Sequence, residues 1–214
     1  MKKRVAVLIS GNGTNLQALI DACTAPDFPA EIVRVISNRA EAFGLVRADK
    51  VGINTLVIDH RGFMDRASFD AALQAALEEC DAELVCLAGF MRLLTPEFTA
   101  KWEGRMINIH PSLLPAFKGL HTHARAIEAG VRFAGCTIHF VSADMDAGPI
   151  IAQAVVPILP DDTPQSLSER VLQQEHSMFP QALKWLAQGD LEIINNTVQI
   201  RGEHKTPAAL IYPS

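Results

Sequence analysis

The sequence has no excess of positive charge, no closely paired cysteines and no long apolar run. Its 214 residues carry 19 basic and 24 acidic side chains, a formal net charge of −5. A protein that grips nucleic acid or an anionic membrane non-specifically needs a basic surface, which argues against those classes. A small anionic substrate held by local donors stays compatible with this balance. Four cysteines, Cys23, Cys80, Cys86 and Cys136, lie far apart with no C-x-x-C pair. That spacing suggests neither a disulfide framework nor a cysteine zinc site. The apolar run at 5–9 breaks at once into Gly-Asn-Gly, too short for a signal-peptide core. No stretch approaches the roughly 20 apolar residues of a membrane span. Twelve prolines and 13 glycines are too few for a low-complexity chain. These exclusions predict a reduced, cytoplasmic, soluble protein. At about 150 residues per domain, the length allows one large or two small domains.

What is present is an alternation. The run at 5–9 is continuous rather than alternating, as expected of a strand covered on both faces. A glycine-rich turn follows, then a helical pattern over 16–22. Strands are predicted at 32–36, 55–58, 84–88 and 106–109, separated by helical patterns at 43–51, 66–80 and 96–102. In the 66–80 window Phe69, Leu73, Ala76 and Leu77 share one stripe. Such alternation builds β-α-β units, hence an α/β fold with a mostly parallel, Rossmann-like sheet and helices on both faces. Strands at 136–141 and 150–157, joined by a short turn-rich segment, predict an antiparallel addition toward the C-terminus. A long helix capped by Asp162 or Thr163, with Pro164 in its first turn, runs toward Gly189, and Pro180 is expected to bend it. A hairpin is predicted from 191–194 and 197–201.

Four features could carry chemistry. The first is Ser10-Gly11-Asn12-Gly13-Thr14-Asn15-Leu16, between the first strand and the first helix. Glycines there let the backbone approach a ligand, and free N–H groups at the helix start attract phosphate. The third glycine of a dinucleotide fingerprint is replaced by Leu16, and the second strand ends in Ser37-Asn38-Arg39 rather than an acidic residue. A phosphate monoester fits better than NAD, and a plain tight turn is the competing reading. The second is Asn108-Ile109-His110-Pro111, at the end of a strand. Residues two apart project to one face, so an amide and an imidazole can donate together to one oxygen, as an oxyanion requires. The third is Asp144-Met145-Asp146-Ala147-Gly148-Pro149, whose carboxylate could hold a histidine charged or accept a proton, although Asp-Gly and Gly-Pro are ordinary turn residues.

The fourth is Glu175, which falls on the apolar stripe Leu167, Val171, Met178, Ala182 and Leu186 of the long helix. An inward carboxylate is costly unless paired, so it meets either a buried arginine or a ligand. His121 and His123 with His110 or His139 could be imagined around zinc. No third ligand stands at a diagnostic spacing, and no metal is expected. The cluster Phe90-Met91-Arg92-Leu93-Leu94 follows the fourth strand and reads either as a lining for a flat ring or as core.

SGNGTNLQALI, LAGFMRLLTPEF, NIHPSLLPAFKGLHTHARAIEAG, DAGPII and QQEH occur in this order over nearly the whole chain. Together they resemble the phosphoribosylglycinamide formyltransferase family, folate-dependent enzymes of purine synthesis. The NIHPSLLP segment alone is similar across the wider formyltransferases, including those acting on methionyl-tRNA and a formyltetrahydrofolate hydrolase. The resemblance implies 10-formyltetrahydrofolate as cosubstrate and glycinamide ribonucleotide as formyl acceptor. It implies no metal, no nucleic-acid or membrane partner, and a monomer or homodimer. Gly13, Thr14 and Asn15 would hold the phosphate, with Leu172, Gln173, Gln174 and Glu175 on the ribose and glycinamide side. Arg66, Met91, Arg92, Leu93, Leu94, Asn108, Ser142, Ala143, Asp144, Met145 and Asp146 would shape the folate pocket. Asn108, His110 and Asp146 would be the catalytic set. Thr14 stands where serine is common and Ala147 varies within D-x-G-P; neither departure removes a reacting group. The expectation is one formyltransferase domain over 1–214, with a phosphate-binding half to about residue 100 and a catalytic, folate-binding half beyond it. A tRNA-binding or regulatory appendage is not expected.

Overall fold

The computed structural model describes residues 1–202 together with Leu210 and Tyr212, so most of the polar stretch after Arg201 lies outside the described residues. Five strands, β1 (Lys3–Ile9), β2 (Ala30–Ser37), β3 (Thr55–Val57), β4 (Leu84–Leu87) and β5 (Met106–His110), pair in parallel. Between them run α1 (Thr14–Cys23), α2 (Phe43–Asp49), α3 (Arg66–Glu79) and α4 (Pro96–Lys101). After a short α5 (Thr122–Glu128), β6 (Phe133–Phe140) and β7 (Ile150–Pro157) add to the sheet in antiparallel fashion. The strand order is β3-β2-β1-β4-β5-β6-β7. A parallel Rossmann-like sheet with an antiparallel extension is therefore what the alternation of patterns predicts and what forms.

The reason is visible in β1, whose side chains alternate between two cores. Val5, Val7 and Ile9 pack with Leu16 and Leu19 of α1, while Ala6 and Leu8 pack with Phe69, Leu73 and Leu77 of α3. A strand buried on both faces has no polar side to show, which is why it reads as a continuous apolar run. The long helix α6 (Pro164–Gln188) covers the first of these cores. Thr163, not Asp162, caps it, in a reciprocal pair with Ser166, and Gly189 ends it at φ 75°. Pro180 is inside the helix. The hairpin also forms: β8 (Leu191–Ile194) and β9 (Thr197–Ile200) join through Asn195 and Asn196, both at positive φ.

The strand order places the site. From β1 the chain steps outward to β2 and β3, then returns to lay β4 on the other side of β1. At such a reversal the flanking connections diverge, and a crevice opens beyond the carboxyl ends of the two central strands.

Phe179 has no exposed surface and joins α6 to the core over β1. Phe179→Ala is expected to cost about 3–5 kcal/mol of stability, read as a lower urea midpoint with an unchanged slope.

Candidate active site

The last turn of β5 carries the second sequence feature. Asn108 and His110 both face one side, and the antiparallel register sets His139 of β6 directly opposite Asn108. The Asn108 amide lies 3.1 Å from His139 Nε2, and His139 Nδ1 lies 2.9 Å from the Phe140 carbonyl. Burial holds the His139 pKa below its ordinary value, which keeps the ring neutral. A neutral ring that donates from Nδ1 to the carbonyl must accept at Nε2. One Asn108 N–H is therefore committed to His139 and the other is free for the cleft. His110 is 6% exposed, with Nε2 3.2 Å from the Phe117 carbonyl and Nδ1 3.5 Å from Asp146 Oδ2. Both ring nitrogens thus face acceptors.

Asp146 comes from the loop between β6 and β7, held at φ 50°, and its Oδ2 also accepts from the Gly119 N–H at 2.9 Å. Two residues on, a Cβ on Gly148 would collide with the Phe140 carbonyl, so this turn tolerates no side chain there. The 111–117 loop after His110 is tied down by Thr137. Its hydroxyl donates to the Ser112 carbonyl at 2.7 Å and accepts from the Leu114 N–H at 3.0 Å.

Asn108, His110, His139 and Asp146 line a cleft of about 690 Å³. Met91, Arg92, Leu93 and Leu94 line one wall, and Ser142, Ala143, Asp144, Met145 and Asp146 line another. The sequence-predicted folate residues therefore converge, with one exception. Arg66 opens α3 and is exposed, outside the lining of the cleft. Arg39, His121, His123 and His139 line the cleft without having been assigned to it. For His139 a signal existed, since it lies opposite Asn108 once the 136–141 strand is paired antiparallel to β5.

The glycine turn of the first sequence feature lies beyond β1, separated from β5 by β4. Gly13 adopts φ 73°, and a Cβ there would sit 2.6 Å from the Cα of Gly44, so two glycine backbones touch. Arg47 fastens the turn by donating to the Asn12 carbonyl at 2.8 Å and its side-chain oxygen at 3.1 Å. Asn15 donates to Glu175 Oε2 at 2.6 Å. The partner of Glu175 is therefore an amide and not a buried arginine. Burial pushes its pKa up, partly offset by the Asn15 bond. Gly13, Thr14, Asn15, Leu172, Gln173, Gln174 and Glu175 lie outside the lining of the large cleft. Leu172 and Gln174 are half-buried and Gln173 is exposed.

Among the described residues no group of three or more His, Cys, Asp or Glu side chains is placed to hold a metal. Burial pushes the Cys23 and Cys136 thiols up to about 12, which leaves them inert as nucleophiles. No helix among the described residues is long and apolar enough to cross a membrane.

A parallel sheet with a glycine turn at its switch point, and an amide, an imidazole and a carboxylate beyond β5, makes this an α/β protein of the doubly wound class. Comparison with known proteins sharpens that class. The formyl transferase family model matches residues 3–183. The chain is 45% identical to phosphoribosylglycinamide formyltransferase of Haemophilus influenzae, over 94% of this chain and 95% of that one. It is 53% identical over 91% of its length to the trifunctional purine biosynthetic protein adenosine-3 of Bos taurus, of which it spans 19%. A solved structure of glycinamide ribonucleotide transformylase 1 from Symbiobacterium toebii matches with a TM-score of 0.91 at 47% identity, covering 93% of this chain and 94% of that one. The chain belongs to the formyl transferase family.

Because burial raises the Glu175 pKa, the native state takes up its proton more readily than the unfolded chain. The sign follows: this group favours folding most below its unfolded pKa, and that contribution is lost as pH rises through the raised folded value. Glu175→Gln retains an oxygen for Asn15 and removes the buried charge. The variant is expected to melt above the unsubstituted protein near neutral pH and to converge with it in acid, as thermal melts from about pH 4 to about pH 8 would show.

Proposed function

We propose that the chain transfers the formyl group of 10-formyltetrahydrofolate to the amine of N1-(5-phosphoribosyl)glycinamide. The products are the N-formyl ribonucleotide and tetrahydrofolate, in de novo purine biosynthesis. The observation that carries this reading is the convergence of Asn108, His110 and Asp146 at the end of a ligand-sized cleft, with an anion turn two strands away. Relatives matched end to end, named for the same acceptor, support the choice of substrates.

The amine attacks the formyl carbon, forming the new C–N bond and a tetrahedral oxyanion. The free N–H of Asn108 and an N–H of His110 would stabilise that oxygen. One such preorganised donor is typically worth about 2.7–4 kcal/mol in the transition state. The proton lost by the amine passes to Asp146, directly or through water, and the departing folate nitrogen takes a proton from His110. Met91 to Leu94 and Ser142 to Asp146 would enclose the cosubstrate, while Gly13, Thr14 and Asn15 hold the phosphate with Leu172, Gln173, Gln174 and Glu175 beside the ribose. Holding both partners together supplies further rate through proximity. No covalent enzyme intermediate and no metal are needed. The same reading takes residues 1–214 as one catalytic unit acting on small molecules, a monomer or homodimer of the cytoplasm. Four unpaired cysteines support a reducing compartment.

His110→Ala and Asp146→Asn are each expected to lower kcat by roughly 10²–10³-fold while ribonucleotide affinity is largely kept. The assay follows the absorbance of the folate product with both substrates present. Undiminished turnover in either variant, or formyl transfer only to methionyl-tRNA or to water, would refute the proposal.

A further inference from the structure

The wall of the cleft between β4 and α4 is neither helix nor strand. It leaves β4 through Gly89 at φ 76° and ends at Thr95, the cap of α4. A loop with no ladder of its own needs other groups to fix its backbone. Two buried side chains outside the cleft do so, one at each end. The Met91 N–H donates to Ser10 Oγ at 2.7 Å, and that hydroxyl donates onward to Asn38 Oδ1 at 2.6 Å. The Thr95 N–H donates to Asp70 Oδ2 at 2.7 Å. Ser10, Asn38 and Asp70 are 6%, 2% and 4% exposed, and none of them lines the cleft.

Their origins explain the arrangement. Ser10 follows β1 and Met91 follows β4, the adjacent strands at which the sheet order reverses, so one hydroxyl bridges the switch point. Asp70 lies next to Phe69 on the buried side of α3. Its second oxygen, Oδ1, is buried without a hydrogen-bond partner. A carboxylate so placed costs stability that an apolar side chain would not. What it contributes in return is a fixed position for the Thr95 N–H.

We propose that Ser10 and Asp70 are positioning residues that act through the Met91–Leu94 wall to set the affinity of the cleft for the folate cosubstrate. The proposal rests on the formyl-transfer reading for the identity of that ligand. Release of either end lets Met91 to Leu94 depart from the shape that fits a flat ring, while Asn108, His110 and Asp146, held by β5, β6 and the loop after β6, stay in place. The cosubstrate KM should therefore move without kcat.

The test is steady-state kinetics on Ser10→Ala, Asp70→Ala and Asp70→Asn. Losing one backbone anchor is expected to raise the KM for 10-formyltetrahydrofolate roughly tenfold in each alanine variant. Asp70→Asn keeps an oxygen for the Thr95 N–H and should stay within about threefold of the unsubstituted enzyme, as should kcat and the ribonucleotide KM in both Asp70 variants. The double alanine variant should show less than the product of the single effects, because one loose end already frees the wall. Loss of folded protein alone lowers apparent kcat and leaves KM where it was. An unchanged cosubstrate KM in both alanine variants, or both KM values rising together in Asp70→Ala, overturns the clamp. If the unsubstituted protein formylates no ribonucleotide, the functional reading falls instead. The clamp is then judged by calorimetry with tetrahydrofolate on the same proteins, where absent binding or equal affinities would overturn it.

Discussion

The reversal of strand order at β1 and β4 is the constraint on which the rest of the molecule depends. Parallel strands need right-handed crossovers, so the side of β1 to which the chain returns decides which loops become neighbours. Because β4 lies against β1 on the side away from β2, the Ser10–Asn15 turn and the Gly89–Thr95 wall open beside one another. The same order puts β5 next, and β6 follows antiparallel, which sets His139 across from Asn108. Neither the anion turn nor the cleft could be moved to the opposite edge without reversing every crossover.

Much of this was legible because apolar pattern and burial obey the same geometry. The run at 5–9 predicts a doubly covered strand, and β1 does alternate between two cores. The pairing of Asn108 with His110 follows from the period of a strand, and both line the cleft. Less legible were features set by partners distant in sequence. Glu175 reads as an inward carboxylate, yet its partner Asn15 stands 160 residues earlier, and no spacing rule reaches that far. Asp70 escaped notice because it sits beside the stripe of Phe69, Leu73 and Leu77, where helical periodicity leaves an acidic residue at the margin of the buried face. α5 was missed for a local reason. It has seven residues and starts from His121 at φ 56°, a left-handed start that carries no capping signature.

The buried polar groups divide by what satisfies them. His139 is neutral, donates to its neighbour's carbonyl and receives from Asn108, so its burial is compensated within the sheet. His110 is different, because its acceptors are a loop carbonyl and a carboxylate in another loop. Neither acceptor belongs to the β5 ladder that fixes the ring. In the proposed mechanism a substrate oxygen would replace the Phe117 carbonyl as partner without unpairing the strand. The rigid part of the site orients the imidazole, and the loops supply what can be exchanged.

The net charge of −5 fits an anionic substrate for a related reason. The groups at the turn are backbone amides, the Asn15 amide and the Arg47 guanidinium, which is already engaged with Asn12. Such donors bind phosphate through oriented dipoles at the start of a helix and need no basic surface around them. Glu175 sharpens the requirement. Beside a phosphate it would repel, so a ligand seated there must present the carboxylate with donors, such as hydroxyls or an amine, on the face away from its phosphate. A sugar phosphate bearing an amine meets both demands at once, and a nucleoside triphosphate, with charge along its whole chain, does not. In the proposed reading, selectivity at this end of the molecule would rest on one costly buried carboxylate as much as on the groups that attract the phosphate.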